Sequence, residues 1–207
     1  MSSARKWTAL SIAASATRVK SSGYVGLKSR EEFNAAGKHV GELIKASFVL
    51  FRGGHFGPSV FLTITSFEEI AKIRWGHTRS RDPEINEVKR GKDPLFRHSD
   101  KHKISVDPLL LSSGSRLFES IGQKRVEEIF EKYENGEYSS FRETSLYFSR
   151  DESGLKLPSE EITEVLAAEH LLIAIEMFYD FFDFMTAEVS EVGDELNSLY
   201  PEVERSI

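Results

Sequence analysis

Cysteine is absent from this chain of 207 residues. Its absence excludes disulfide bonds, thiol nucleophiles and thiolate metal ligands, and it suits a reducing cellular interior. No apolar run is long enough to cross a bilayer, so the sequence predicts no membrane segment. The loops that bind nucleotide phosphates and the Gly-x-Ser-x-Gly elbow of hydrolases are also missing. We therefore expect an intracellular protein without a nucleotide or other organic cofactor.

Acidic residues are missing from the first 30 positions, although the whole chain has a net charge of −6. Residues 72–103 hold ten Lys or Arg against five Asp or Glu, whereas residues 151–207 hold fifteen acids against two cations. A basic strip on an acidic protein can bind a polyanion at one place. Alternatively, these are solvated faces, or the two regions attract each other across the fold. The composition leaves these interpretations open.

Helical spacing of apolar residues begins near residue 30 and continues through most of the chain. Residues 1–29 predict a basic N-terminal arm that is flexible or weakly helical, and residues 30–207 a single helical domain. Ser29 and Glu32 form a capping box in front of the first helix. Gly53-Gly54 ends that helix, and Pro58 suits the first turn of the second. The two helices are therefore expected to form an antiparallel hairpin.

The remainder of the chain predicts further helices with one short interruption. We expect helices over about 94–104 and 115–134, a short extended piece or hairpin within 146–154, and a last long helix capped by Ser159. The apolar stripe of that last helix is wide, so it faces either the core alone or the core and a partner subunit. These elements predict an all-α fold, an antiparallel bundle of four to five helices with the extended insert before the last long helix.

The densest polar cluster is Phe96-Arg97-His98-Ser99-Asp100-Lys101-His102-Lys103. His102 can act as a general acid or base near neutral pH, Arg97 can hold a phosphate, and His98 can assist either group. Positions five apart on a helix differ by roughly 140°, so Arg97 and His102 converge only at a helix end or across a two-fold axis. Alternatively, His98 and His102 bind a metal beside Asp100, or the segment is a solvated helix start.

Glu68, Glu69 and Lys72 form a second candidate group in the middle of the second helix. Their neighbours Phe67 and Ile70 are apolar, so at least one of the two carboxylates should be partly buried and in need of a partner. Lys72 or Arg97 could be that partner. The alternative is an exposed pair between a glutamate and Lys72 that only stabilises the helix.

In order and spacing, these segments resemble the AbiV-type abortive infection family, a branch of the HEPN superfamily in bacterial phage defence. The resemblance covers about residues 30–187 and rests on the Arg97-x4-His102 pattern, on Glu68-Glu69-x-x-Lys72, and on Leu146-Tyr147-Phe148 followed by Gly154 and Pro158. It implies a cytoplasmic homodimer with a HEPN-like helical bundle. It also implies a metal-independent endoribonuclease whose two Arg-x4-His motifs form one cleft across the dimer.

Two functional hypotheses follow. In the first, RNA is cleaved with His102, Arg97 and His98 as the catalytic residues, supported by Glu68, Glu69, Lys72 and Asp100. The strip would bind the RNA backbone through Arg74, Arg79, Arg81, Lys89, Arg90, Lys92, Lys101 and Lys103. In the second, the bundle is a non-catalytic interaction module that arrests infection by binding a phage or host protein. A phage protein is thus a candidate activator or target.

Overall fold

The structure of the protein is a computed structural model that describes residues 26–80, 93–106, 116–182 and 185–207, without the side chains of residues 77–80 and 94. Most of the predicted arm over residues 1–29 thus lies outside the described residues. The helices described are α1 (Arg30–Arg52), α2 (Phe56–Ser80), α3 (His98–Ser105), α4 (Gln123–Asn135), α5 (Tyr138–Thr144), α6 (Pro158–Glu161), α7 (Glu164–Phe182) and α8 (Ala187–Glu204). The only strands in these ranges form the antiparallel hairpin of β1 (Ser149–Asp151) and β2 (Gly154–Lys156). The predicted all-α class is confirmed.

The first two helices form the expected antiparallel hairpin. The Ser29 hydroxyl accepts from the Glu32 amide at 3.2 Å, which caps α1 as predicted. Gly54 adopts a left-handed conformation, with φ of +74°, and turns the chain into α2. Deep in the hairpin, Ser47 Oγ lies 2.7 Å from Thr63 Oγ1 and 2.9 Å from the Ser59 carbonyl. These buried hydrogen bonds fix the register of the two helices.

The most apolar helix, α7, lies at the centre of the bundle. Every residue from Ala167 to Phe178 is buried, and the helix packs against α1, α2 and α8. Its wide apolar stripe is therefore covered by other helices of the same chain. The sequence left open whether this stripe faces the core alone or also a partner subunit. Its burial within the chain supports the first interpretation.

A helix that the sequence analysis did not predict, α8, covers α1. Val189, Leu196, Tyr200 and Val203 of α8 are buried. Three ion pairs join the two helices, Arg30–Glu188, Lys45–Glu195 and Arg52–Glu202. Residue numbers rise together in the two helices, so the helices run parallel. The approach is close, because a Cβ atom added at Gly41 would lie 2.3 Å from Val192 Cγ1. Part of the C-terminal acidity thus neutralises α1 rather than the basic strip.

One predicted helix boundary was wrong, and one predicted helix is divided. The last long helix does not begin at Ser159, because the short α6 ends at Glu161 and α7 begins at Glu164. Thr163 fills the capping role, since its hydroxyl accepts from the Leu166 amide at 3.2 Å. The helix expected over 115–134 is also divided, because Gly122 takes a φ of +94° and separates a π-helical turn from α4.

No helix in the described ranges is both long enough and apolar enough to cross a lipid bilayer.

The backbone of another segment lies so close to Gly57 that a side chain there would clash, and this generates a stability prediction. A Cβ atom at Gly57 would lie 2.5 Å from the Ser145 carbonyl oxygen, whereas one at Gly193 would meet nothing closer than 3.8 Å. We expect Gly57→Ala to lower the free energy of unfolding by about 1–3 kcal/mol, because α2 must separate from the segment that follows α5. Gly193→Ala, the matched control, should be neutral or stabilising by up to about 1 kcal/mol. Denaturant unfolding of both variants measures this, and equal effects would contradict it.

Candidate functional site

One face of α3 meets α2 through polar side chains. His98, Lys101 and His102 stand at positions i, i+3 and i+4 of α3, so they project from the same face. Below and around this face, Leu95 and Ile104 pack with Ala71 of α2 in a small apolar cluster. The apolar contacts hold α3 on α2 and turn the polar face towards Glu68.

Glu68 is the shared partner of this face. Its side chain is only 3% exposed, and its two oxygens lie 2.7 and 2.8 Å from His98 Nδ1. His102 Nε2 lies 3.1 Å from Oε1, and Lys101 Nζ donates to Oε2. The buried carboxylate predicted in this helix is thus Glu68, but its partners are neither Lys72 nor Arg97.

The pKa of Glu68 is set by two opposing effects. Burial acts to raise it, but the hydrogen bonds from His102, Lys101 and His98, together with the charge of Lys101, hold it well below its ordinary value. Glu68 is therefore ionised at neutral pH, and its oxygens only accept hydrogen bonds. It follows that His98 donates through Nδ1 and His102 through Nε2, which fixes the tautomer of each neutral imidazole.

The two histidines differ sharply in access to solvent. The His98 side chain is 47% exposed, whereas that of His102 is completely buried. The His102 ring stands edge-on to the Tyr133 ring with centroids 5.7 Å apart, and its Nδ1 atom is buried without a hydrogen-bond partner. His102 is therefore part of the protein interior.

Arg97 occupies the position before α3 and points elsewhere. Its backbone is extended, its side chain is 60% exposed, and its Nη1 lies 3.4 Å from Asp100 Oδ2. Glu69 pairs with Lys72 on the same helix. Glu68, His98, Lys101 and His102 therefore come together, while Arg97 pairs with Asp100 and Glu69 pairs with Lys72 beside them.

Arg142 of α5 is a member of this site that the sequence analysis missed. Its Nε lies 3.5 Å from Glu68 Oε1, and its guanidinium carbon lies 4.5 Å from the Phe61 ring centroid. The side chain is 18% exposed. Apolar residues at Tyr138 and Phe141 could have indicated a short helix after Gly136, but nothing in the sequence assigns its arginine to Glu68.

Of the predicted RNA-binding cations, the structure describes the side chains of three. Lys101 is buried against Glu68, Arg74 lies over the Phe181 ring at 5.4 Å, and Lys103 is partly exposed on α3. The side chain of Arg79 is not among those described. The others lie outside the described residues; they are Arg81, Lys89, Arg90 and Lys92.

No group of three His, Asp or Glu side chains within the described ranges is placed as a metal site would require. The three residues of the metal alternative are not grouped, because His98 and His102 face Glu68 while Asp100 pairs with Arg97.

Comparison with known protein families gives a match for this chain. The family model described as AbiV, of the HEPN type, matches residues 28–178, which include α1 to α6 and most of α7. No curated protein and no solved structure matches the chain significantly. The matched range contains every residue of the Glu68 site, whereas α8 lies entirely beyond it.

Glu68 and its neighbour Glu69 offer a matched pair of variants. We expect Glu68→Gln to lower the free energy of unfolding by about 3–5 kcal/mol at pH 7, because Lys101 and Arg142 lose their buried counter-charge. Glu69→Gln should cost at most about 1 kcal/mol, since its pair with Lys72 is partly solvated. The folded pKa of Glu68 is lowered, so its contribution is present above the unfolded value of about 4.3 and declines as the pH falls below it. Denaturant titrations at several pH values test this, and equal costs at pH 7 would refute it.

Proposed function

Because this chain belongs to the AbiV family of HEPN proteins, a family of abortive infection, we propose that it arrests phage infection as an endoribonuclease acting at the Glu68 site. One observation carries the proposal: a guanidinium and an imidazole, those of the consecutive residues Arg97 and His98, are both exposed where α3 begins. The first can bind a phosphate and the second can move a proton.

The reaction that these groups suit is transesterification of RNA. The ribose 2′-oxygen attacks the adjacent phosphorus, and the bond from phosphorus to the 5′-oxygen breaks. The 2′-hydroxyl proton passes to an imidazole, and the leaving 5′-oxygen takes a proton from solvent. A guanidinium stabilises the charge that develops on the phosphoryl oxygens. The products are a 2′,3′-cyclic phosphate and a 5′-hydroxyl, and the nucleophile is supplied by the RNA itself.

The charges around Glu68 favour an anionic substrate. This carboxylate is the partner of two permanent cations, Lys101 and Arg142, in addition to the two imidazoles. The pair of Arg97 and Asp100 beside them is neutral as a whole. The immediate cluster therefore carries an excess of positive charge, which raises the local concentration of a polyanion such as RNA.

We further propose that the protein acts as a homodimer in which the starts of both α3 helices share one cleft. Phe96, Arg97 and His98 are consecutive and all exposed. Phe96 offers 39% of its surface to solvent directly beside Arg97. A second subunit on this face would bury that ring and bring a second guanidinium to the substrate.

The nuclease proposal predicts loss of cleavage when both imidazoles are removed. We expect the wild type to cleave cellular RNA in EDTA, leaving cyclic phosphate ends, and His98→Ala/His102→Ala to be slower by about 100-fold or more. His39→Ala/His55→Ala is the matched control, because both of these histidines are exposed and lie outside the site. Electrophoresis of RNA and end-group analysis give the readout. A wild type without activity, or equal cleavage by all three proteins, would refute the proposal.

A second candidate function, a non-catalytic interaction module, is favoured by an apolar surface around the β-hairpin. Tyr147, Phe148 and Leu155 are 62%, 71% and 48% exposed. Clusters of exposed apolar side chains commonly mark sites of protein association.

If that second function is correct, protection against phage depends on the exposed apolar residues beside the hairpin and not on the histidines. We expect Tyr147→Ser/Phe148→Ser to abolish protection in a phage-challenge assay, with a melting temperature close to that of the wild type because both side chains are exposed. His98→Ala/His102→Ala would protect fully in the same assay. The opposite pattern, protection lost only with the histidines, would exclude this function.

A further inference from the structure

The two histidines of the site cannot share one role, because only one of them is accessible to a substrate. His102 is completely buried and its ring packs against Tyr133 inside the subunit. A phosphodiester is charged and strongly hydrated, so it cannot enter this position without unpacking α3. His98 is 47% exposed at the start of the same helix. Proton transfer with RNA therefore requires His98, or a large rearrangement around His102.

Glu68 prepares His98 for such a transfer. Both of its oxygens lie within 2.8 Å of His98 Nδ1. Since the carboxylate only accepts, the proton of the neutral ring is on Nδ1 and the basic lone pair is on Nε2. A carboxylate that holds one imidazole nitrogen fixes the orientation of the ring and stabilises the imidazolium that forms when the other nitrogen takes a proton.

His102 binds the same carboxylate from a fully buried position. Its Nε2 donates to Glu68 Oε1 at 3.1 Å, while Lys101 donates to Oε2. These two donors keep Glu68 ionised and fix the plane of its carboxylate group. Replacing His102 would disturb His98 through Glu68, although His102 itself touches no substrate.

We propose that His98 is the catalytic imidazole, accepting the ribose 2′-hydroxyl proton at Nε2, and that His102 is a positioning residue that acts through Glu68. This inference rests on the proposed nuclease function and assigns the roles within its site. After transfer the His98 ring carries protons on both nitrogens and a positive charge that Glu68 faces. Its Nε2 proton then returns to solvent, so the site is restored after each cleavage.

The test uses amides that imitate single nitrogens of each ring. In His98→Asn the side-chain amide takes the place of Nδ1, so it can still donate to Glu68 but offers no basic Nε2. In His102→Gln the amide takes the place of Nε2 and preserves the hydrogen bond to Glu68. We expect His98→Asn to lower kcat by about 100-fold or more with little change in KM. His102→Gln should restore most of the activity that His102→Ala loses.

Added imidazole separates a chemical role from a structural one. Because position 98 is open to solvent, we expect imidazole to restore part of the activity of His98→Ala, and to restore none at the buried position in His102→Ala. Circular dichroism of the full-length variants confirms folding. If folded His102→Gln is inactive, or if His98→Asn cleaves like the wild type, the inference is overturned while the nuclease proposal stands. A wild type that cleaves no RNA would instead refute the nuclease proposal itself.

Discussion

The ionised carboxylate of Glu68, buried where α2, α3 and α5 meet, is the constraint on which the site depends. An isolated charge at this depth would be very costly, so the surrounding groups must compensate for its lost hydration. Lys101, His98 and His102 do this from one face of α3, and Arg142 contributes from α5. The same contacts that stabilise the fold thus orient the imidazole that reaches solvent. Stability and chemistry are coupled here, because changing any of the four partners of the carboxylate affects both.

Much of the fold followed from local patterns. The Ser29 cap, the glycine turn before α2 and the small hairpin could be predicted, because each depends on residues that are close in the sequence. The division between α6 and α7 was missed because Thr163, rather than Ser159, caps the long helix. Helix α8 was overlooked although its apolar residues have helical spacing. Because α8 covers part of the apolar surface of α7, the wide stripe on α7 could not be assigned to the core without predicting α8.

The candidate site was only half predictable for a geometric reason. Helical spacing places His98 and His102 on one face of α3, and a carboxylate in an apolar part of α2 demands a partner. Spacing alone does not show how far each ring projects from the interior, so it could not distinguish the exposed His98 from the buried His102. Arg142 was out of reach, because its contact with Glu68 spans 74 positions of sequence and depends on how α5 packs.

The close parallel contact between α1 and α8 has a consequence for how the domain can be shortened. The family match ends at residue 178, inside α7, and so omits α8. A protein cut at that point would leave the glycine-lined side of α1 and the adjacent side of α7 without cover. Apolar surface of this kind promotes self-association. A shortened form of the chain that keeps this surface covered therefore has to extend at least to Val203, which is fully buried.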